Sequence, residues 1–441
     1  MQVRVLSPLF QTKVLQSELR AFAFPEDLEQ RHKVLLPWLK ALRSGTLDEV
    51  KEVSLHGDFL HDIFQKVLGY RSVVAGEGQT WEVHAEQTIS DGGGSADGAL
   101  GIFTAVSEKK GSSPRLSGQI LAPIELKGAA DDLDRPSPGR RESAVEQGWR
   151  YANHARDCRW VLVSNYREIR LYHTRRTPAL AEVFMLEELA EKEDQFKKFY
   201  FLLSRDRFLP ARETPSSQSK TDQLLTQSEQ ADEDLTSEFY TEYKELRLLL
   251  VKHFLTSAPQ DIKDRNHQVI ERAQKVLDRI LFIAFAEDKG LLPKQTLANA
   301  YIHKDPYKPR PIWDNYKSVF RWIDTGNKEQ AIPGYNGGLF RLDPLLDEAL
   351  TVPDDICSRM KDVSRFDFDT EISVNILGQI FEQSITDLEE LRAISEGREF
   401  DKKKGKRKQQ GGILHPAIRH TVYCESSSWR ICSIQRSFNT N

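Results

Sequence analysis

The chain has 441 residues, a length expected to divide into two to four domains of roughly 100–200 residues each. With 39% hydrophobic and 29% charged residues it can bury cores without disulfide or metal staples, which excludes a disordered, collagen-like or membrane chain. The net charge of -4 gives no global basic field, so any contact with nucleic acid must rest on local charge.

No run approaches the roughly 18 apolar residues that span a bilayer, and the N-terminus lacks the apolar core of a signal peptide. Four cysteines, without zinc-site spacing, point to a reducing, cytoplasmic setting rather than a disulfide framework.

In chain order, LEQRHKVLLPWLKALR and TLDEVKEVSLHGDFLHDIFQKVLGY carry apolar residues at helical spacing, the second stopping near Gly69. The period then changes. WEVHAEQTI alternates as a strand does, and ADGALGIF and QILAPIELKG are short apolar runs bounded by Gly, Ser and Pro. SAVEQGWRYANHAR is an amphipathic helix, and WVLVSNYREIRLYHT reads as two strands about a turn near Asn165. Helix, three strands, helix, two strands describes an α/β domain around a mixed sheet.

Beyond it, the Ser/Gln/Thr-rich stretch RETPSSQSKTDQLLTQSEQADE reads as a linker. Long periodic helices follow, among them HQVIERAQKVLDRILFIAFAEDKGLL and ISVNILGQIFEQSITDLEELRAI, with a GYNGGLF loop between them. The expected organisation is a helical segment over 1–50, an α/β domain over 51–205, a polar linker over 206–233, a helical domain over 234–400, and a basic stretch with an aperiodic tail over 401–441.

One constellation carries chemistry. Asp97 opens a predicted strand, Glu125 and Lys127 lie two apart on the next and so share a face, and Gln147 and Tyr151 lie on the following helix. Two close carboxylates make a hard-oxygen site suited to Mg²⁺, which lowers the pKa of bound water and stabilises phosphoryl charge. A lysine beside them orients the attacking water and stabilises the transition state. Arg135, Arg140 and Arg141, between the lysine strand and the helix, are candidate phosphate contacts. There is no HExxH or comparable histidine spacing and no GxxxxGK[ST] loop, so zinc-hydrolase and P-loop chemistry find no support.

An acid, then (D/E)xK on the adjacent strand, then a helix with QxxxY resembles the PD-(D/E)xK nuclease superfamily. The resemblance implies Asp97 and Glu125 as Mg²⁺ ligands, Lys127 as the catalytic lysine, and Gln147 with Tyr151 as helix accessories. It also implies a further acid from the first helix, for which Asp58 and Asp62 both stand open. AQKVLDRILFIAFAEDKGLLP, IPGYNGGLF and FDFDTEISVNILGQIFEQSITDLEELR resemble the helical connector of type IIG restriction–modification enzymes, and the likeness covers about residues 50–410. The residues themselves read as core and turn: Phe282, Ile283, Phe285 and Phe381 as packing, Glu287 and Asp288 as structural, Asn336–Gly338 as a turn.

The implied fold is an α/β PD-(D/E)xK nuclease domain followed by a mainly α-helical connector. The implied activity is Mg²⁺-dependent hydrolysis of double-stranded DNA, with a catalytically silent DNA-binding or docking remnant as the alternative. Such enzymes continue into an adenine-N6 methyltransferase, which uses S-adenosylmethionine, and a target-recognition domain. No Pro-Pro pair occurs here, so the methyltransferase motif (N/D)PP(Y/F) is absent. Shifting the reading frame around residues 415–425 permits Tyr-Thr-Pro-Gln-Tyr-Val-Thr-Arg-Tyr-Ile-Val-Asn, close to the family's continuation. The expectation is a frameshift near Gly412 that truncates a longer enzyme; the run Lys402–Lys408 before it reads as a solvated linker, with DNA-phosphate binding as the alternative.

Overall fold

The computed structural model describes residues 6–77, 79–89, 94–106, 115–137, 139–212, 214, 217–262, 264–307, 309–335 and 337–368. The expected helix over 372–394, Phe381, Asn336, the Lys402–Lys408 run and the tail lie outside the described residues. The chain divides into two compact units, Met1–Ala231 and Asp232–Asn441.

The first unit begins with helices α1 (Thr12–Ala21), α2 (Leu28–Lys33), α3 (Leu35–Arg43), α4 (Thr46–Glu49) and α5 (Glu52–Phe59), the last running on as a π-helical turn, Leu60–Val67. The segment expected as one helix over 28–43 is two. Pro37 has no N–H to offer the carbonyl four residues back, so the ladder is interrupted after Lys33 and restarts at Leu35. Gly69 ends the helical run in a left-handed conformation, φ +83°.

Strands β1 (Thr80–Ile89), β2 (Gly94–Val106) and β3 (Arg115–Leu126) follow, then α6 (Ala144–His154), β4 (Trp160–Ser164), β5 (Glu168–His173) and β6 (Glu182–Met185). They form one six-stranded sheet in chain order, antiparallel at every pairing except the parallel β3–β4 contact that α6 bridges. β6 was not foreseen: four residues are too few for an alternation to be read, and it is held by pairing along β5.

The sheet is covered on both faces. Leu100, Ile124, Leu126 and Leu162 enter a large core with Trp38, Phe59 and Phe64 of the N-terminal helices, to which α7 (Leu186–Glu191), α8 (Glu193–Leu203) and α9 (Arg205–Phe208) add Leu189, Phe199 and Phe208. On the other face Val161, Val163 and Tyr172 pack with Ala144, Val145 and Ala152 of α6. The alternation Trp160/Leu162 against Val161/Val163 is the two-residue period of a strand buried on both sides.

Helix α10 (Lys220–Ser257) occupies the second half of the stretch expected as a linker over 206–233. Its polar composition reads as loop, yet Thr221, Asp222 and Ser228 are buried there beside Leu224 and Leu225. Asp222 is satisfied from three directions, by Ser219 (2.9 Å), Arg159 (3.1 Å) and the Trp160 indole N–H (3.0 Å). A helix face built on paired polar groups has no hydrophobic signature.

The second unit is helical over its described residues: α11 (Arg265–Asp288), α12 (Thr296–Ile302), α13 (Ile312–Thr325) and α14 (Asp354–Asp362) close around Ile280, Ile283, Trp313, Tyr316 and Met360. Ile283 is fully buried, while Phe282 and Phe285 pack at its edge.

Candidate active site

The three residues expected to act together, Asp97, Glu125 and Lys127, meet where the start of β2 lies against the end of β3. The antiparallel register pairs Gly98 with Ile124, which sets Asp97 beside the next residue of β3, Glu125. Asp97 Oδ2 accepts the Leu126 N–H at 2.8 Å, so the carboxylate is tied across the two strands. Glu125 is in register with Val163 of β4 and therefore shares the α6 face, and the Lys127 N–H extends the parallel ladder by donating to Ser164 O at 2.8 Å.

Glu125 is 1% exposed and Lys127 3%. The Lys127 ammonium donates to Glu125 Oε1 and, at 3.1 Å, to Leu126 O. Glu125 Oε2 is buried with no hydrogen-bond partner. Burial first, and the neighbouring Asp97 charge second, push the Glu125 carboxyl up to about 7 although Lys127 pulls the other way. A buried carboxylate facing a second carboxylate, with one oxygen unsatisfied, is costly unless a cation completes it.

Helix α6 is aimed at this point. Ser143 starts it with a reciprocal capping box: its hydroxyl accepts the Glu146 N–H at 3.2 Å while Glu146 Oε2 accepts the Ser143 N–H at 2.8 Å. Gly148 lets the helix lie close on the sheet, since a methyl group there would fall 2.8 Å from Val161 Cγ1 and 3.9 Å from Glu125 Cβ. Gln147 donates to the Tyr151 hydroxyl at 2.6 Å. Tyr151 is buried, and burial together with the Glu125 charge raises its hydroxyl to about 12, so it stays protonated.

The open choice between Asp58 and Asp62 resolves to neither. Asp58 is exposed, and Asp62 is engaged by the Trp38 indole N–H at 3.0 Å and by Lys66 at 2.9 Å. The acid that α5 brings to the site is Glu52, whose Oε1 lies 4.0 Å from Lys127 Nζ. One helical turn on, His56 stands with Nε2 3.6 Å from Glu52 Oε1 and Nδ1 4.0 Å from Asp97 Oδ1. Burial works against the Glu52 charge, but His56, Lys127 and Arg140 together hold its carboxyl below the ordinary value. Glu52, chiefly, raises the His56 imidazole against its burial, with Asp97 adding to the effect. The sequence signal for this pair is Glu-x₃-His on the helix before the strands, which places both on one face.

Arg135, Arg140 and Arg141 are all exposed on the loop between β3 and α6. Arg135 pairs with Asp132 at 3.5 Å, whereas the charge of Arg140 is felt at Glu52. The loop is anchored by Arg167, which donates to Ala129 O at 2.8 Å and forks onto Asp48, and by Asn165, which donates to Asp131 O at 2.9 Å. In the helical unit, Glu287 accepts the Leu297 N–H at 2.8 Å and Asp288 the Phe368 N–H at 2.8 Å, both structural duties.

The donor set fits a hard divalent cation. Asp97 and Glu125 supply carboxylate oxygens side by side, and the unsatisfied Glu125 Oε2 is the atom such an ion would take up. Comparison with protein-family models, with curated proteins and with solved structures found no match to this chain.

Proposed function

We propose that the α/β unit is a metal-dependent DNA endonuclease centre of the PD-(D/E)xK kind, and that the chain is the nuclease and helical-connector portion of a type IIG-like restriction–modification enzyme. The observation that carries this reading is the convergence of Asp97, Glu125 and Lys127 at the ends of adjacent strands, beneath a helix that presents Gln147 and Tyr151. The mixed sheet, with one parallel pairing bridged by α6, supports it.

Asp97 and Glu125 would hold Mg²⁺, which supplies a bound water of lowered pKa and offsets phosphoryl charge. The protein's own groups do the rest. Lys127, fixed by Glu125 and Leu126 O, orients the attacking water and stabilises charge on the phosphoryl oxygens. The water oxygen gives up a proton to solvent as it forms a new P–O bond, one ester P–O bond breaks, and the departing alkoxide takes a proton from solvent. Gln147 positions water or substrate, with its amide set by Tyr151. Exposed Arg140, beside the site, meets the DNA phosphates. Target choice and S-adenosylmethionine binding belong, on this reading, to the methyltransferase and recognition domains of the intact enzyme.

A second reading, a silent DNA-docking remnant, is favoured by one observation: Lys127 and Glu125 are both buried and engaged with each other. Plasmid cleavage by the purified chain with Mg²⁺ or EDTA, beside Lys127→Ala with its fold checked by circular dichroism, separates the two. Mg²⁺-dependent nicking or cutting that falls at least a hundredfold in the variant supports the nuclease. No cleavage by the folded wild-type chain under any divalent cation refutes nuclease activity in this chain, and DNA binding without cleavage supports the remnant.

A further inference from the structure

The proposed cleavage site gives the helical unit no task of its own. That unit carries a basic stretch in a chain whose net charge is -4: residues 289–312 hold five Lys or Arg and one Asp. At its centre is the connection from α12 to α13, HKDPYKPRP. Tyr307 stands there 97% exposed, and Ile302, at the end of α12, is 67% exposed. Lys304 and Arg310 flank the ring in sequence, are exposed, and make no hydrogen bond or ion pair with their side chains among the described residues. Asp305, the one acid, turns back to accept the Tyr307 N–H at 2.9 Å.

The connection is held at both ends. Asn315 of α13, itself buried, donates to Ala300 O at 2.9 Å and to His303 O at 2.8 Å, and Asp354 accepts the Ile312 N–H at 3.2 Å. Pro306, Pro309 and Pro311 fix their own φ angles and restrict the residues before them. The ring is thus presented to solvent on a constrained backbone, which lowers the ordering cost of meeting a partner. Unpaired cations on either side of an exposed aromatic ring match a polyanion that also offers flat apolar surface: phosphates for the charges, sugars and bases for the ring.

We propose that the α12–α13 connection is a DNA-binding surface, on which Lys304 and Arg310 contact backbone phosphates of a duplex and Tyr307 packs against sugars and base edges at the groove. The choice of DNA rests on the proposed function; the chemistry of the surface, phosphate beside a stacking face, does not. Contacts of this kind add affinity without reading sequence.

The test titrates the full chain, in EDTA to prevent cleavage, against a fluorescent duplex of ~30 bp and follows anisotropy across a salt series. Wild-type affinity should fall steeply with salt. In Lys304→Gln/Arg310→Gln, affinity should drop tenfold or more at low salt, and the slope of log K against log salt should lessen by about 0.9 for each cation removed. Tyr307→Ala should lose about fivefold or more with the slope unchanged, since a ring releases no counterions, and Tyr307→Phe should keep wild-type affinity. Lys252→Gln, which removes an exposed cation of α10, should stay within about twofold of wild type. A folded wild-type chain that binds no duplex overturns the proposal. So does a double variant with unchanged affinity and slope, a Tyr307→Ala variant with unchanged affinity, or a loss in Lys252→Gln as large as in the double variant. Mg²⁺-dependent cleavage with binding unaltered in the variants sinks this inference alone, and binding that weakens as expected in a chain that does not cleave sinks the nuclease reading alone.

Discussion

Gly148→Ala tests whether the approach of α6 to the sheet sets the site. The new methyl would lie 2.8 Å from Val161 Cγ1 and 3.2 Å from Val163 Cγ2, against an ordinary carbon–carbon separation of about 3.5–4.0 Å. Both valines are fully buried in mid-sheet, and β-branched side chains have little rotamer freedom to retreat. The helix must therefore lift by several tenths of an ångström or more. Overpacking of this kind costs about 1–3 kcal/mol, and replacing a mid-helix glycine by alanine returns about 1 kcal/mol. The net expectation is a loss of ~1 kcal/mol, or a fall in Tm of about 2–4 °C for a unit of this size. Gln147 is the adjacent residue, and Glu125 Cβ would lie 3.9 Å from the added methyl, so the proposed nuclease activity should fall more than stability does. Val161→Ala opens the space the methyl needs, and the double variant should show a favourable coupling of about 0.5 kcal/mol or more by calorimetry. A raised Tm in Gly148→Ala, or strict additivity in the double variant, would refute the close-approach argument.

Three other outcomes are expected. Glu52→Gln should lower cleavage tenfold or more, while Asp62→Asn should leave cleavage within about twofold and lower the Tm, because Asp62 serves Trp38 and Lys66 rather than the site. Glu287 is lifted from 4.5 to about 7 mainly by burial; a raised carboxyl pKa stabilises the fold fully below pH ~4.5 and loses its effect as pH rises through about 7. Urea midpoints of the wild-type chain should therefore fall across that window, Glu287 contributing the equivalent of up to ~3 kcal/mol, and Glu287→Gln, which keeps an acceptor for the Leu297 N–H, should lessen the fall without abolishing it, since burial also lifts Asp278 of the same helix to about 7. Arg279, fully buried in α11, donates to Leu339 O at 3.0 Å, Arg341 O at 2.9 Å and Asp347 at 3.1 Å; Arg279→Met leaves those carbonyls and a carboxylate bare and should cost about 3–5 kcal/mol by equilibrium urea unfolding. An unchanged urea midpoint would mean that the 339–347 loop is held by something other than the guanidinium.

The sheet was legible because its strands obey simple periods. PIELKG and WVLVS set apolar residues on both faces, and Asn165 marked the β4–β5 turn, where its Oδ1 accepts the N–H of Arg167 and Glu168. What escaped was whatever carries no period. β6 is four residues long and gains its order from β5 alone. The start of α10 buries hydroxyls and a carboxylate where a hydrophobic stripe was sought. At the site, Asp97, Glu125, Lys127, Gln147 and Tyr151 could be named because strand and helix spacing puts them together locally. Glu52 could not, because its arrival depends on how α5 crosses the sheet end, some 45 residues before Asp97 in the chain. Asp58 and Asp62 stand on the same helical run, but Asp62 faces Trp38 of α3.

The energetics of this corner do not serve stability, which accords with the proposed catalytic role. An apolar pair in place of Glu125 and Lys127 would pack against Val163 and α6 at no desolvation cost, and exchanges of that kind often stabilise a fold. Instead the chain buries a carboxylate with one oxygen unsatisfied, sets Asp97 against it, and adds Glu52 and His56 from another element. By contrast three buried charges elsewhere in this unit are paired for structure: Glu82 with Arg205 and Arg212, Glu182 with Lys198 and the N–H groups of Leu9 and Phe10, Asp222 with Arg159 and Trp160. Those clusters complete themselves within the protein. The cluster of Asp97, Glu125, Glu52 and His56 leaves Glu125 Oε2 buried without a partner, and on the proposed reading a bound cation is what completes it.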